Sequence, residues 1–214
     1  MLCHLFILIV VPPPPSAKLA GCTVIGTVGS DEKARALQSL EYGCDHVINY
    51  NQVEDLGQEI KRIAPEGVDV VFEGVGGHMM QIALDVMKPQ PSSRLLQVGY
   101  ISEYPHTYTD ANTGTDTDTS NSNAIDCADL FWNSKTITRP DGSIIYGNAW
   151  PKNDPAAIGD CQDRILQLYQ DGKIQSFVDS GSYQFHGGLA SVADAVEYML
   201  SGTAIGKVVV KITK

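Results

Sequence analysis

The sequence predicts an α/β fold built on a doubly wound parallel sheet, with irregular additions toward the C-terminus. Two patterns favour this class. Short, almost continuously apolar segments are typical of strands that are buried on both faces of a sheet. They alternate with amphipathic segments of about ten residues, which is typical of helices that connect parallel strands. The chain has 214 residues, of which 43% are hydrophobic, and this supplies one good-sized core.

The first element is a strand predicted in MLCHLFILIVV (1–11). This segment is shorter than the roughly twenty apolar residues that span a bilayer. A signal peptide is the alternative, but no Lys or Arg precedes the apolar run and no small-residue cleavage site follows it. The β-branched and aromatic residues between Phe6 and Val11 favour a strand. Pro12 to Pro15 then follow, and they have no N–H group to donate and cannot continue a helix.

The middle of the chain shows the alternation most clearly. Helices are predicted in the segments that begin at Ser30, Val53 and His78, and strands in CTVIGTV (22–28), HVINY (46–50), VDVVFEGVG (68–76) and SRLLQVGYI (93–101). Ser30 is the expected N-cap of the first of these helices. Asp31 and Glu32 follow it in the first turn, where the helix dipole favours acids. That helix is expected to end near Gly43.

Beyond Ile101 the pattern becomes irregular. Residues 108–124 are rich in Thr, Asp, Asn and Ser and are predicted to form a flexible insert. The Asp-Gly pair in RPDGSIIYG (139–147) predicts a hairpin turn. The remaining predictions are a helix over 154–174, a helix over 191–202 with Ser191 as its N-cap, and a last strand over 206–212.

Composition excludes several classes of function. The net charge of −10 repels a phosphate backbone, so we expect no nucleic-acid partner. The five cysteines are widely spaced, and neither CxxC nor HExxH occurs, so we expect neither a disulfide framework nor a metal site. Scattered thiols are typical of the reducing cytoplasm, although a mitochondrial or peroxisomal location stays open. We expect no membrane partner.

Candidate ligand contacts lie where the predicted strands end, because ligands of open α/β sheets bind at the carboxyl edge. The 22–28 strand ends without an acid, and Ser30 and Lys33 stand at the start of the next helix, where an anion is favoured. This combination favours NADP over NAD. The alternative is that Ser30 is only a cap and Lys33 only a solvated lysine, and Asp31 and Glu32 count against a phosphate site.

Two further strands end in glycine-containing segments, EGVGG (73–77) and GYISEY (99–104). Glycine lets the backbone approach a ligand closely, and a tight turn explains it equally well. Because both segments fall at the same edge of the sheet, they support a ligand site together better than either does alone. A methyltransferase on a similar open sheet is an alternative, but it would need an acid at the end of the 22–28 strand.

Six blocks of sequence occur in the order found in zinc-independent medium-chain dehydrogenases/reductases. They are AKLAGCTVIGTVGSDEKARAL, GCDHVINY, GVDVVFEGVGG, RLLQVGYIS, LFWNSKTI and AVEYMLSGTAIGKVVVKI. Over residues 17–107 and 125–214 the chain resembles the quinone oxidoreductase and prostaglandin reductase branch. The resemblance implies a Rossmann-type dinucleotide-binding domain over 17–214 with NADP as cofactor. It also implies a small-molecule substrate, an enone or a quinone, and a possible homodimer.

The resemblance also implies site residues. Lys33 and Tyr50 correspond to the pair that holds the 2′-phosphate of NADP. Ser30, three residues before Lys33, is a further candidate contact to the cofactor. The segment along the nicotinamide consists of Val98, Gly99, Tyr100, Ile101, Ser102, Glu103 and Tyr104. Gly74 stands where many relatives have Asn, so that only its backbone is available, and Ala204 replaces a cofactor-contacting Asn. No catalytic residue is assigned.

The sequence departs from the resemblance at its beginning. The family's N-terminal GroES-like domain, which forms the other wall of the cleft, has no counterpart here. Pro12 to Pro15 stand where a Gly-rich turn normally holds the pyrophosphate. We therefore expect residues 1–16 to be an aberrant segment, the sheet to be truncated at its N-terminal edge, and the enzymatic activity to be impaired. The alternative is a non-catalytic cofactor-binding remnant or a dimerisation module.

Overall fold

The computed structural model describes residues 4–8, 15–39, 43–89, 93–103, 125–133, 136–138, 144–147 and 155–212. Several predictions lie outside these residues. They are the flexible insert over 108–124, the Asp-Gly turn at 141–142 and the contact assigned to Tyr104.

The described strands form one sheet of seven. They are β1 (His4–Leu8), β2 (Thr23–Val28), β3 (His46–Asn49), β4 (Val70–Glu73), β5 (Arg94–Gln97), β6 (Thr136–Thr138) and β7 (Ile144–Gly147). The order across the sheet is β3-β2-β1-β4-β5-β7-β6, and β6 and β7 are the antiparallel pair. The order of the first five strands is that of a dinucleotide-binding sheet.

The predicted N-terminal strand is confirmed. β1 lies at the centre of the sheet, where Phe6 pairs with Ile25 of β2 on one side and with Val71 of β4 on the other, both in parallel. From β1 the chain continues to β2 and β3 on one side of the sheet, and then to β4 and β5 on the other side. The strand order therefore reverses between β1 and β4, and ligands of such sheets bind outside the carboxyl ends of the strands at this reversal.

Seven helices accompany the sheet in the described part of the chain. They are α1 (Pro15–Leu19), α2 (Asp31–Ser39), α3 (Leu56–Ile63), α4 (Gly77–Val86), α5 (Cys127–Asn133), α6 (Pro155–Gln170) and α7 (Val192–Leu200). α1 begins at Pro15, a position at which proline is tolerated because the first N–H groups of a helix have no partner within it. α3 begins three residues later than predicted because Asp55 caps it, accepting from the N–H of Gln58 at 2.9 Å.

The sheet is covered on both faces, as the doubly wound fold requires. Successive residues of a strand face opposite sides. In β2, Ile25 belongs to the larger core cluster with Ile60 of α3 and Met80 of α4. Its neighbour Val24 packs instead with Ala17 of α1. Both β2 side chains are fully buried, so the two faces of the sheet carry separate parts of the core.

The C-terminal region corrects two predictions. The last strand predicted over 206–212 is wrong: Lys207 forms a single bridge with Val178, and no described strand continues it. Ser191 stands at the N-cap of α7, but its hydroxyl makes no capping hydrogen bond and instead accepts from the N–H of Gly187 at 2.9 Å. Among residues 4–212, the described helices include none that is long and apolar enough to cross a membrane.

Candidate functional site

The carboxyl ends of β2, β3, β4 and β5 lie along one edge of the sheet because all four strands are parallel. Two groups of residues follow these ends. The β2–β3 edge consists of residues 29–33 and 49–52, and the β4–β5 edge consists of residues 73–77 and 98–103. The predicted site residues that the structure describes fall into one or the other group.

At the β2–β3 edge, a short turn connects β2 to α2. Ser30 precedes the first residue of α2, and its hydroxyl accepts from the backbone N–H of Lys33 at 3.3 Å. This contact confirms Ser30 as the predicted N-cap. The first turn of α2 is therefore fixed against the end of β2, with its N–H groups and the positive end of the helix dipole at the carboxyl edge.

Tyr50 lies directly over this turn. Its backbone N–H donates to the carbonyl of Val28 at 2.9 Å. Its hydroxyl oxygen comes so close to Gly29 that a Cβ on Gly29 would be 2.6 Å from it. A larger residue at position 29 would force the Tyr50 side chain to move. The structure therefore brings Tyr50 and Ser30 to the same turn.

Lys33 extends from the first turn of α2 toward the C-terminal region. Its ammonium group donates to the carbonyl oxygen of Gly202 at 2.5 Å. The side chain is half-buried. Among the described residues, this ammonium group forms no ion pair with a carboxylate, so its charge is available to an anion that reaches the turn.

Three side-chain amides surround the same turn, and the sequence analysis did not single them out. Asn51 Nδ2 donates to the carbonyl of Gly29 at 2.8 Å. Asn49 Nδ2 donates to Asp31 Oδ1 at 2.7 Å, and Gln52 Nε2 donates to Asp31 Oδ2 at 2.9 Å. These hydrogen bonds, the one from Asn49 first, hold the pKa of Asp31 below its ordinary value. The signal available in the sequence was the run NYNQ at the end of a predicted strand.

At the β4–β5 edge, the last residue of β4 is a fully buried carboxylate, Glu73. Its Oε1 accepts from the N–H groups of Val75 and Gly76, at 2.7 and 2.8 Å. Its Oε2 is buried and has no hydrogen-bond partner among the described residues. Burial raises the pKa of Glu73, against the lowering effect of the two N–H groups, and the charge of Glu103 raises it further.

The segment after β5 closes onto the turn after β4. Glu103 Oε1 accepts from the N–H of Gly77 at 2.7 Å. Ser102 donates to the carbonyl of Val75 from its backbone N–H, at 2.9 Å, and from its hydroxyl, at 2.6 Å. The carbonyl of Gly74 accepts from the N–H of Ile101 at 3.2 Å. Three successive N–H groups, at positions 75–77, are thus bound by carboxylates of the chain itself.

Aromatic contacts fix the other side of this segment. The ring of Tyr100 makes an edge-on contact with that of Phe131 at a centroid distance of 5.6 Å. Its hydroxyl accepts from Trp132 Nε1 at 3.1 Å. Val98 and Ile101 are about half exposed, 43% and 50%, and Gly99 is buried. The predicted contact segment is therefore held between the start of α4 and α5, with two apolar side chains facing solvent.

Gln97, the last residue of β5, pairs in register with Glu73 and is equally buried. Its Nε2 donates to the carbonyl of Cys127 at 2.9 Å, and its Oε1 has no partner among the described residues. Burial raises the pKa of the Cys127 thiol to about 12, with further contributions from Glu103 and Glu73. The sequence analysis did not single out Glu73, Gln97 or Cys127 for this edge.

A cleft adjoins Tyr50 between the first turns of α3 and α4. Its volume is about 540 Å³, and Val53, Asp55, His78 and Met79 contribute to its walls. Within the described ranges, no three His, Cys, Asp or Glu side chains come together as a metal-binding group. The structure thus brings Ser30, Lys33 and Tyr50 together at one edge and Gly74 with 98–103 at the other. The roles that the resemblance assigns to them stay predictions.

Comparison with known proteins finds one matching family model and several similar proteins. The family model described as zinc-binding dehydrogenase matches residues 16–152. A probable quinone oxidoreductase of Leishmania amazonensis is 36% identical over 192 residues, which are 90% of this chain and 50% of that protein. Prostaglandin reductase-3 of Mus musculus is 35% identical over 201 residues, 92% of this chain and 47% of that protein.

Two further matches are a protein whose name includes a cofactor and a structure that was solved with one. The 2-alkenal reductase (NADP(+)-dependent) of Nicotiana tabacum is 30% identical over 200 residues, which are 92% of this chain and 49% of that protein. CurA of Vibrio vulnificus, solved in complex with NADPH, has a TM-score of 0.67 and 21% identity, and the match covers 100% of this chain and 58% of that one. The chain spans about half the length of the curated relatives that it matches.

Proposed function

Because the chain belongs to the zinc-binding dehydrogenase family, we propose that it binds NADPH and reduces an enone or a quinone with low activity. The observation that carries the proposal is the convergence of Ser30, Lys33 and Tyr50 on the single turn between β2 and α2. The reductases to which the chain is similar by sequence, among them one named as NADP(+)-dependent, support the cofactor and the substrate class.

The β2–β3 edge fits the 2′-phosphate of NADPH. An anion at the start of α2 meets the N–H groups of the first turn and the positive end of the helix dipole. The ammonium of Lys33 would exchange the carbonyl of Gly202 for the phosphate, and a hydrogen bond between two charged groups is about twice as strong as one between neutral groups. The hydroxyls of Ser30 and Tyr50 lie on the same turn and would complete the contacts.

The β4–β5 edge would face the nicotinamide. When bound, NADPH supplies the hydride for this class of reaction, while the protein supplies binding and orientation. Residues 98–103 would lie along the ring, with Val98 and Ile101 presenting apolar surface to it and to the substrate. The activity is expected to be low because the amides at 75–77 are already bound by Glu73 and Glu103, so the edge must open before a ligand can use them.

A second candidate is a protein that binds NADPH without turnover. The observation that favours it is this same closure of the β4–β5 edge, in contrast to the cation at the β2–β3 edge. A homodimer is compatible with either candidate. Pairing through β6 would form it, because β6 is the last strand on its side of the described sheet and an unpaired edge favours association.

The test is a titration of the purified chain with NADPH and with NADH, followed by the fluorescence of the reduced nucleotide. We expect NADPH to bind at least about tenfold more tightly than NADH, since the extra phosphate meets a charged partner. Addition of trans-2-hexenal or 1,4-benzoquinone should then oxidise NADPH slowly. Binding without oxidation supports the second candidate, and failure to bind either nucleotide rules out both.

A further inference from the structure

We infer that Asn49 and Gln52 set the cofactor preference by withholding the carboxylate of Asp31 from the bound nucleotide. The inference rests on the proposed NADPH binding and deepens it. Asp31, the first residue of α2, stands three positions beyond the last residue of β2. In dinucleotide-binding folds a carboxylate in this region accepts the ribose hydroxyl groups and favours NAD. A protein that selects NADPH must therefore keep such a carboxylate away from the 2′-position.

The hydrogen bonds of Asp31 do this directly. Asp31 Oδ1 accepts from Asn49 at 2.7 Å and Oδ2 accepts from Gln52 at 2.9 Å. Asn49 is the last residue of β3, and Gln52 lies three residues beyond it. Each carboxylate oxygen therefore already accepts a hydrogen bond from an amide, and a ribose hydroxyl would have to compete with that amide for it.

Asp31 and Lys33, two of the three charged residues in the first turn of α2, extend in different directions. Residues two positions apart on a helix do not face each other. Asp31 is drawn toward β3 by the two amides, whereas Lys33 extends toward Gly202. Arg35 lies one turn further along α2, donates to the backbone carbonyl of Asp31 at 3.3 Å, and adds a positive charge on the same face as its carboxylate. A phosphate that binds Lys33 would therefore meet its ammonium group on a different side of the turn from the Asp31 carboxylate.

The amides of Asn49 and Gln52 are thus positioning groups that act through Asp31. Without them, the Asp31 side chain would be free to rotate toward the nucleotide. A released carboxylate would repel the 2′-phosphate of NADPH and accept the 2′-hydroxyl of NADH. The expected consequence is a change in the ratio of the two affinities, and a merely structural role would lower both affinities together.

The experiment measures the dissociation constants of NADPH and NADH for the full chain and its variants by fluorescence titration. Gln52→Met removes one of the two donors, and Asn49→Leu combined with Gln52→Met removes both. We expect the double variant to lower the NADPH-to-NADH affinity ratio roughly tenfold and the single variant to lower it less. Asn51→Leu is the matched control, because Asn51 donates to Gly29 of the same turn and has no bond to Asp31.

Adding Asp31→Asn to the double variant provides the rescue. This substitution removes the released charge and should restore the NADPH preference, although the two amide bonds are still missing. The single variant Gln52→Met disturbs the fold least, since Gln52 is exposed. If the double variant does not fold, the affinity ratio of this single variant still tests the inference.

The outcomes separate the inference from the function on which it rests. A wild-type chain that prefers NADPH, with a ratio unchanged in the double variant or lowered equally by Asn51→Leu, overturns the inference and leaves the proposed function in place. A wild-type chain that prefers NADH or binds neither nucleotide overturns the NADPH assignment itself. A lowered ratio that Asp31→Asn does not restore also overturns the inference, because the effect then does not depend on the carboxylate.

Discussion

The two edges at which strands end use the same chemistry in opposite ways. At the β2–β3 edge, side chains gather around a turn and direct a carboxylate, Asp31, away from it while a cation, Lys33, stays beside it. At the β4–β5 edge, two carboxylates of the chain occupy three successive backbone amides. The β2–β3 edge therefore keeps a cation that an external anion could bind. At the β4–β5 edge, carboxylates of the chain itself already bind the backbone N–H groups.

Because of this difference, the two halves of the proposed cofactor would bind in different ways. The adenosine phosphate would meet groups that are already in place, so little rearrangement is needed before it binds. The nicotinamide would meet a segment tied to its neighbour by Ser102 and Glu103. Binding and turnover should therefore respond to different substitutions, and the following predictions test that separation.

The largest effect is expected from Glu73→Leu. The substitution removes the acceptor of the N–H groups of Val75 and Gly76. A buried donor left without a partner costs about 1–3 kcal/mol, so two of them should lower the free energy of unfolding by about 3 kcal/mol. Urea denaturation measures this loss. Glu73→Gln keeps a side-chain oxygen and is the control, and a Glu73→Leu variant as stable as the wild type would show that the turn does not depend on the carboxylate.

Lys33→Met should have the next largest effect, and only on binding. Loss of the ammonium group removes the charged partner of the 2′-phosphate, so NADPH affinity should fall about 10- to 100-fold while NADH affinity stays nearly constant. Calorimetric titration with both nucleotides measures the difference. Lys173→Met makes the same change in net charge beyond α6, where Lys173 pairs with Asp171, and should leave both affinities unaltered. Equal losses for NADPH and NADH would contradict the role given to Lys33.

Gly29→Ala should have a smaller effect on the same edge. Its Cβ would be 2.6 Å from the hydroxyl oxygen of Tyr50, so the tyrosine must move away from the turn. We expect a loss of about 1 kcal/mol in stability and of several-fold in NADPH affinity. In the double variant with Tyr50→Phe, the clash with the hydroxyl is gone but the nearest ring carbon would still lie 3.1 Å from the Cβ, so most but not all of the stability should recover. Persistent destabilisation in the double variant would place the strain elsewhere.

The sequence predicted the local features of this architecture well. The β-branched residues of the first segment predicted the strand that lies at the centre of the sheet, and Ser30 was predicted as an N-cap from its place before two acids. These features depend on neighbours in the chain, so local patterns determine them. The predicted strand over 206–212 failed for the opposite reason. Its β-branched residues favour extended structure, but strand formation needs a partner, and the single bridge to Val178 does not supply a ladder.

The polar contacts of the site could not be predicted in this way. Asp31 meets Asn49 and Gln52, residues 18 and 21 positions away, and Gly77 meets Glu103, 26 positions away. Such pairs form only once the parallel strands are aligned, and no periodicity in the sequence encodes them. Nor did the sequence indicate that Glu73 is buried, since acids are mostly exposed.

The smallest effect is expected from Glu73→Gln, and it should depend on pH. Burial raises the pKa of Glu73 above its ordinary value of 4.5, so the folded chain holds the proton more tightly than the unfolded chain does. The stabilisation from this group is fully present below the ordinary pKa and is lost as the pH rises through the raised one. Glutamine has no such proton. The free energy of unfolding of Glu73→Gln, relative to the wild type, should therefore increase as the pH rises.

Urea denaturation of both proteins from about pH 5 to about pH 8 measures this relative stability. Several other carboxyl groups have lowered pKa values, so their contribution to stability grows as the pH rises. Both proteins contain these groups, and their contribution cancels when the two stabilities are subtracted. A relative stability that decreases with pH would mean that the N–H groups of Val75 and Gly76 outweigh burial and that Glu73 is ionised when folded. Glu73 and Glu103, which bind neighbouring amides of the same turn, would then repel each other at the β4–β5 edge.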